Sequence, residues 1–229
     1  MLVTGHFIGE FQNQFGKGER IFAEIRQLRP QSPQLDLEYE HPFFLNLPLG
    51  LDAGFHLHRR DTTFLDVNFE LGTKFLLEGG NYFKVFFQQS NSNLLSVDGN
   101  KLLTNRQLPA QLDIDRSALG IEWQFQKLDY RFNPRVGWES SISSTFGLRA
   151  IQKNGLILDL SNDDVDFEML YDSLRLNTFQ GTLTGHISRF IPTSSNQTIK
   201  LGLTGQYICL LYTSPSPRDA TLSRMPSSA

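Results

Sequence analysis

Leu119-Gly120-Ile121-Glu122-Trp123-Gln124-Phe125-Gln126 puts a large apolar residue at every second position, with glycine, glutamate or glutamine between. Side chains that alternate between two faces belong to a β-strand, so this stretch reads as a strand with one apolar and one polar face. The same period of two recurs along the chain. Leu35, Leu37 and Tyr39 alternate with Asp36, Glu38 and Glu40, and Leu51, Ala53, Phe55 and Leu57 with Asp52, Gly54, His56 and His58. Leu65, Val67, Phe69 and Leu71 alternate with Asp66, Asn68 and Glu70. Farther on, Phe179, Leu183 and Ile187 alternate with Thr182, Thr184 and His186, and Ile199, Leu201 and Leu203 with Lys200, Gly202 and Thr204. No segment carries a convincing helical period.

Ten strands are read, over 4–14, 20–29, 34–44, 49–60, 63–77, 81–95, 117–130, 137–150, 178–190 and 198–208. Most are longer than the roughly five or six residues usual in soluble proteins. They match the roughly 9–11 residues that a tilted strand needs to cross a bilayer. The connections fall into two kinds. Short turns at 15–19, 45–48, 78–80, 132–135 and 192–196 follow every second strand, whereas the intervening links include the long segments 96–116 and 151–177. Short turns at one end and longer loops at the other are the pattern of an outer-membrane barrel, although the links near Gln31 and Asp61 are also short. The expected fold is therefore all-β: an incomplete antiparallel transmembrane β-barrel, about ten strands of a larger barrel left as an open sheet.

Composition is compatible with that reading. The chain has 229 residues, a net charge of −3 and a mean hydropathy of −0.28, and 39% of it is hydrophobic. Lumen-facing polar residues dilute the apolar ones in a barrel, so a mild average is expected. No stretch reaches the roughly 20 apolar residues of a membrane helix. No basic excess points to nucleic acid. The 19 phenylalanines suit aromatic girdles and the 18 glycines suit close backbone packing, but an aromatic-rich soluble sandwich would use both as well. Met1-Leu2-Val3-Thr4-Gly5-His6 lacks the basic segment and apolar core of a signal peptide, so either the protein is cytoplasmic or, as a membrane barrel requires, a natural N-terminus lies upstream.

The segment 209–229 has another character. Cys209-Leu210-Leu211-Tyr212-Thr213-Ser214-Pro215-Ser216-Pro217-Arg218-Asp219 and Ser223-Arg224-Met225-Pro226-Ser227-Ser228-Ala229 resemble a translated sequencing-library adapter. The expected division is a partial barrel domain over 1–208 and a non-native, disordered tail over 209–229 that adds no strand. The rest of the chain then contains no cysteine, which leaves neither a disulfide framework nor a thiol nucleophile.

Asp129-Tyr130-Arg131-Phe132-Asn133-Pro134-Arg135-Val136-Gly137-Trp138 joins two amphipathic strands. Pro134, with no N–H and a fixed φ, is expected to end the first, and Gly137 to adopt a backbone angle closed to other residues. The segment resembles the Asn-Pro-Arg-x-Gly-Trp turn of the BamA/TamA family of outer-membrane assembly factors, whose barrel is also called the bacterial surface antigen domain. The turn over 11–20, with Phe15, Gly16 and Gly18, resembles that family's first periplasmic turn. Leu37-Glu38-Tyr39-Glu40-His41-Pro42-Phe43-Phe44 is similar to its strand ending in Pro and aromatics. The resemblance runs from about Thr4 to Ile208 and is nearest to members from Bacteroidetes-type bacteria.

The resemblance implies a barrel of about sixteen strands in a bacterial outer membrane, preceded by periplasmic POTRA domains. It implies a protein that inserts or exports other outer-membrane proteins without covalent chemistry. Its partners would be outer-membrane lipid, unfolded outer-membrane protein substrates, and periplasmic or lipoprotein accessory proteins. The chain departs from the family in lacking the POTRA domains, the first strand and the Val-Arg-Gly-Phe loop motif. A passive porin or transporter barrel shares the strands but not the turn motifs. A soluble lipocalin-like binder would need an apolar interior and a polar exterior.

Signs of enzymatic chemistry are weak. Among His6, His41, His56, His58 and His186, only His56 and His58 share a strand face at close spacing, and no third ligand joins them. In a barrel these two are expected to line the lumen. Gly16-Lys17-Gly18 is too short for a phosphate loop, and no Gly-x-Ser-x-Gly elbow occurs. The acidic run Asp163, Asp164, Asp166 and Glu168 lacks the order of a calcium loop and reads as a solvated loop. No catalytic residue, cofactor or metal site is expected.

Overall fold

Alternation makes the strands, and their length makes the sheet. The computed structural model describes residues 4–29, 31–44, 47–60, 62–109, 111–130, 132–161, 165–174, 176–194 and 197–211. Ten strands follow one another: β1 (Gly5–Gln12), β2 (Arg20–Gln27), β3 (Gln34–His41), β4 (Leu49–Arg60), β5 (Phe64–Leu76), β6 (Tyr82–Leu94), β7 (Asp113–Leu128), β8 (Gly137–Gln152), β9 (Asn177–Ser194) and β10 (Gln197–Leu211). Each pairs antiparallel with its neighbours in sequence, in a single ten-stranded sheet that is not closed into a barrel. β1, β2 and β3 have 8 residues each, whereas β9 has 18.

Register lines show what the alternation achieves. One line crosses all ten strands through Phe11, Ile21, Tyr39, Ala53, Leu71, Phe87, Leu119, Phe146, Gly181 and Cys209. Every residue on it is apolar, a glycine or the cysteine. The next line, on the opposite face, runs Gln12, Arg20, Glu40, Asp52, Gly72, Phe86, Gly120, Thr145, Thr182 and Ile208. Both lines start at the turn end of β1 and finish at the far end of β10. Such drift is the stagger of a sheet whose strands tilt as it curls. The curl is evident at the turn end, where Pro42, just after β3, and Lys200 of β10 line one recess.

The sheet is apolar on its convex side and polar within. Leu119, Ile121 and Trp123 on the convex face are 66%, 51% and 56% exposed, whereas Lys84 on the concave face is 7% exposed. Glu122, Gln124 and Gln126 share that concave face. Aromatic rings pair along the convex side: Phe83 with Phe75 and Trp123, and Phe146 stacked on Phe179 at 5.7 Å.

Four expectations are corrected. First, the long links are not plain loops. They hold α1 (Gly99–Asn105), α2 (Gly155–Leu158) and α3 (Phe167–Asp172), and with Leu94 these build a small core from Leu102, Ile157, Val165, Phe167 and Tyr171. Buried Asn154 locks it by donating to Asp113 Oδ2 (2.8 Å) and to the Leu94 carbonyl (3.1 Å). Secondly, β7 begins at Asp113, because Asp113 belongs to that latch. Thirdly, β9 runs through Pro192 to Ser194; the pairing slips between Gln197 and Thr198, a bulge where proline has no N–H to give. Ser195 and Asn196 lie outside the described residues. Fourthly, strand structure continues past Ile208. Cys209, Leu210 and Leu211 pair with Gly181, Gln180 and Phe179, since backbone ladders accept any residue with an N–H and Pro215 comes only later. Residues 212–229 lie outside the described residues.

Candidate functional site

The concave face carries a continuous chain of ion pairs from β2 to β6. Arg20 reaches Glu38 at 2.7 Å and Glu40 at 3.2 Å; Lys74 bridges Glu40 (3.3 Å) and Asp52 (2.8 Å); Lys84 bridges Asp52 (3.1 Å) and Glu70 (2.6 Å). Period two places all these groups on one face, and register sets Glu40 beside both Arg20 and Asp52. Beside the chain, Tyr82 donates to Glu122 at 2.6 Å. Phe86 lies flat over Gly120, where an added Cβ would be 2.3 Å from the ring. Here a strand glycine is needed because an aromatic ring covers its backbone.

The wall of β7–β10 is mostly neutral. Ser141, Ser143, Thr145, Thr182, Thr184, Thr204 and Gln206 line it. His186 bonds Thr204 (2.8 Å) and Ser188 (2.9 Å), and near the turn end Lys200 pairs with Glu139 at 2.9 Å. A recess of about 1000 Å³ opens at that end, lined among others by Pro42, Phe43, Tyr82, Gln126, Pro134 and Lys200.

The turn singled out in the sequence is built around Asp129. Its Oδ1 accepts the N–H groups of Arg135 (2.9 Å) and Val136 (3.0 Å), and its own N–H donates to the Val136 carbonyl (3.1 Å). These donors, Val136 foremost, hold the Asp129 carboxyl below its ordinary range. Gly137 has φ 129°, and a Cβ there would lie 2.1 Å from the Lys127 carbonyl oxygen, so glycine is required. Trp138 stacks on Phe125 at 5.0 Å on the convex side. The expected role of Pro134 is corrected: β7 already ends at Leu128, where Asp129 turns the backbone, and Pro134 instead lines the recess. Asn133 is exposed beside it, and Arg131 lies outside the described residues.

At the first turn, Gly16 (φ 75°) and Gly18 (φ 77°) take left-handed conformations. The central group is Glu19, to which the sequence alone assigns no role. It is 1% exposed and accepts the N–H groups of Phe15 and, at 3.1 Å, of Lys17. The Phe15 N–H leads in holding its carboxyl below the ordinary range. Phe15 itself is exposed. A Cβ on Gly18 would meet Pro42 at 3.4 Å, so this turn packs on the Pro-aromatic segment after β3. The two turn motifs share the turn end of the sheet and stand near opposite edges.

Of the histidines, His6, His56, His58 and His186 are on the concave face, with His6 bonded to Glu24 (2.7 Å) and His56 to Asp36 (2.8 Å). His41 differs from them: its register with Leu51 puts it on the convex side, stacked on Tyr39. In the acidic run, Asp166 caps α3 through Glu168 N–H (2.9 Å) and Glu168 pairs with Lys153 (3.3 Å). Asp163 and Asp164 lie outside the described residues. No three His, Cys, Asp or Glu residues gather as a metal site among the described residues.

No family profile, curated protein or solved structure matches the chain.

Proposed function

We propose that the sheet is the wall of an outer-membrane barrel of the BamA/TamA type, which inserts or exports other outer-membrane proteins without covalent chemistry. The observation that carries the membrane part is the inverted amphipathicity: a convex face of exposed Leu, Ile, Phe and Trp around a concave face of ion pairs and hydroxyls. A soluble lipocalin-like barrel needs the opposite arrangement. The assembly role rests on the Asp129–Trp138 and Phe11–Arg20 turns, which share the turn end of the sheet. In this reading the turn end faces the periplasm and the helix-bearing links face outward. β1 and β10 need pairing strands before the sheet can sit in lipid, because unpaired backbone groups are costly there.

The test is made on outer membranes of cells that produce the protein. Single cysteines at Ile121 and Trp123 should resist a water-soluble maleimide, and cysteines at Glu122 and Gln124 should react. Equal reactivity of both sets sinks the membrane reading. Depleting the protein should lower the amount of folded outer-membrane proteins; lost solute uptake with normal assembly would point instead to a passive porin.

A further inference from the structure

Asn154-Gly155 is the chain's only Asn-Gly pair. In an unstructured chain such a pair is chemically labile, because glycine has no side chain to hinder its own backbone nitrogen from attacking the neighbouring side-chain amide. The fold puts this pair at the junction of the two long links. Asn154 is 7% exposed and ties the β8–β9 link to the end of β6 and the start of β7.

Both polar atoms of the Asn154 side chain are engaged. Nδ2 donates to Asp113 Oδ2 at 2.8 Å and to the Leu94 carbonyl at 3.1 Å, and Oδ1 accepts the Leu156 N–H at 2.8 Å. Its backbone N–H reaches the Tyr171 hydroxyl at 3.4 Å. Asp113 is itself buried, and its other oxygen accepts the Leu94 N–H at 2.7 Å. Gly155 opens α2 directly behind. A satisfied buried network of this kind is rigid. With its amide held by three partners, Asn154 can close a ring with Gly155 only after those bonds break.

We propose that Asn154-Gly155 is a deamidation site, held off while the loop-end core is closed, whose reaction makes an opening of that core irreversible. Once the core opens, the Gly155 nitrogen attacks Asn154 Cγ. The new C–N bond forms, the proton of that nitrogen and the Nδ2 amino group leave as ammonia, and water reopens the succinimide ring to aspartate or isoaspartate. Nothing is oxidised or reduced, and water is the only co-reactant. The product has lost the donors to Asp113 and Leu94 and carries a negative charge facing Asp113. Two carboxylates in one buried place repel, and neither is hydrated. The latch then cannot close as before. This inference depends only on the loop-end core and not on the outer-membrane reading.

The test compares the full chain refolded in detergent with the same chain unfolded in guanidinium chloride, both held at one mildly alkaline pH. Conversion at each asparagine is followed by peptide mass spectrometry, and an isoaspartyl methyltransferase reports isoaspartate. Conversion at Asn154 should be about tenfold or more faster in the unfolded chain, because reaction through an open state tracks that state's population. In the unfolded chain it should also outpace Asn81 and Asn100, which precede Tyr82 and Lys101, and Gly155→Ala should slow it severalfold. Equal rates folded and unfolded, or no preference for Asn154, overturn the site. The consequence is read on Asn154→Asp, which should lower amide-exchange protection of Leu94 and Leu156 about tenfold; adding Asp113→Asn, which again sets one amide against one carboxylate, should recover part of it. Unchanged protection in Asn154→Asp overturns the irreversible opening. If that variant does not refold, refolding of the double variant supports the latch and its failure overturns it.

Discussion

The concave faces of β2–β6 and β7–β10 line one space with different chemistry. On β2–β6, Glu40, Lys74, Asp52 and Lys84 are each held by two others and form one linked object. On β7–β10 most side chains are hydroxyls or amides, and register partners such as Ser143 and Thr184 stand side by side without a side-chain hydrogen bond to any described residue. A linked set of charges fixes its members mutually. Away from the contacts of His186 and Arg116, the neutral wall leaves side chains such as Ser143 and Thr184 independent and able to meet a solute. The difference implies that substitutions of similar size have unlike consequences on the two halves.

The largest effect should follow Lys84→Met. Lys84 is 7% exposed and pairs with both Asp52 and Glu70, so its loss strands Glu70 and leaves Asp52 to Lys74 alone. Breaking a buried pair costs several kcal/mol; with water near the concave face we expect about 3 kcal/mol. Urea unfolding in a lipid mimetic measures it. A cost under about 1 kcal/mol would mean that the ion chain is only a solvated surface, and the contrast between the halves would fail.

Where the halves meet, Gly120→Val tests packing alone. Its Cβ would lie 2.3 Å from the Phe86 ring, whereas nothing lies within 4 Å of a Cβ on Gly185. Overpacking should cost about 1–3 kcal/mol at Gly120 and almost nothing for Gly185→Ala. Phe86→Leu in the Gly120→Val background should recover part of the loss.

The turns add a pH dependence independent of either wall. The Glu19 and Asp129 carboxyls sit below their ordinary values because backbone N–H groups bind the charged form. A carboxyl whose value is depressed on folding stabilises the fold above its unfolded pKa, about 4, and loses that contribution as pH falls through the lower folded value. Protection of the Arg135 and Val136 amides against exchange, measured relative to the intrinsic rate at each pH, should therefore stay high at neutral pH and fall only in acid below the usual carboxylate range. Asp129→Asn should lower that protection at neutral pH and leave it insensitive to acid.

Much of the fold is legible in the sequence, for physical reasons that also mark the limits. A period of two defines both the strand and its two faces, so the spacing of Leu119 through Gln126 alone declares which residues point outward and which inward. Gly137 is legible because few residues tolerate its backbone angle. The loop-end core is not legible, since helices such as α2, with 4 residues, are too short to show a helical period. Their signals are the caps Asp98, Asn154 and Asp166, each accepting an N–H within the first turn that follows. Glu19 escapes notice because a glutamate in a glycine-rich turn reads as solvated, and only the fold of the turn brings Phe15 and Lys17 onto it. The ion chain is hidden because register between strands, rather than spacing within any one of them, sets Glu40 beside both Arg20 and Asp52.

The smallest effect should be that of Ser143→Ala and Thr184→Val, the facing pair on the neutral wall. Both hydroxyls face the open concavity, so they bind water in the folded chain as in the unfolded one. Removing them exchanges like for like, and each substitution should change stability by less than about 0.5 kcal/mol, with the two adding simply. The same urea unfolding experiment measures this. A loss above about 1 kcal/mol for either, or a clear departure from additivity, would show the hydroxyls bonded to groups across the concavity. In that case the neutral wall would be a second network rather than a free surface, and the contrast with the ion chain of β2–β6 would reduce to one between two kinds of cross-link.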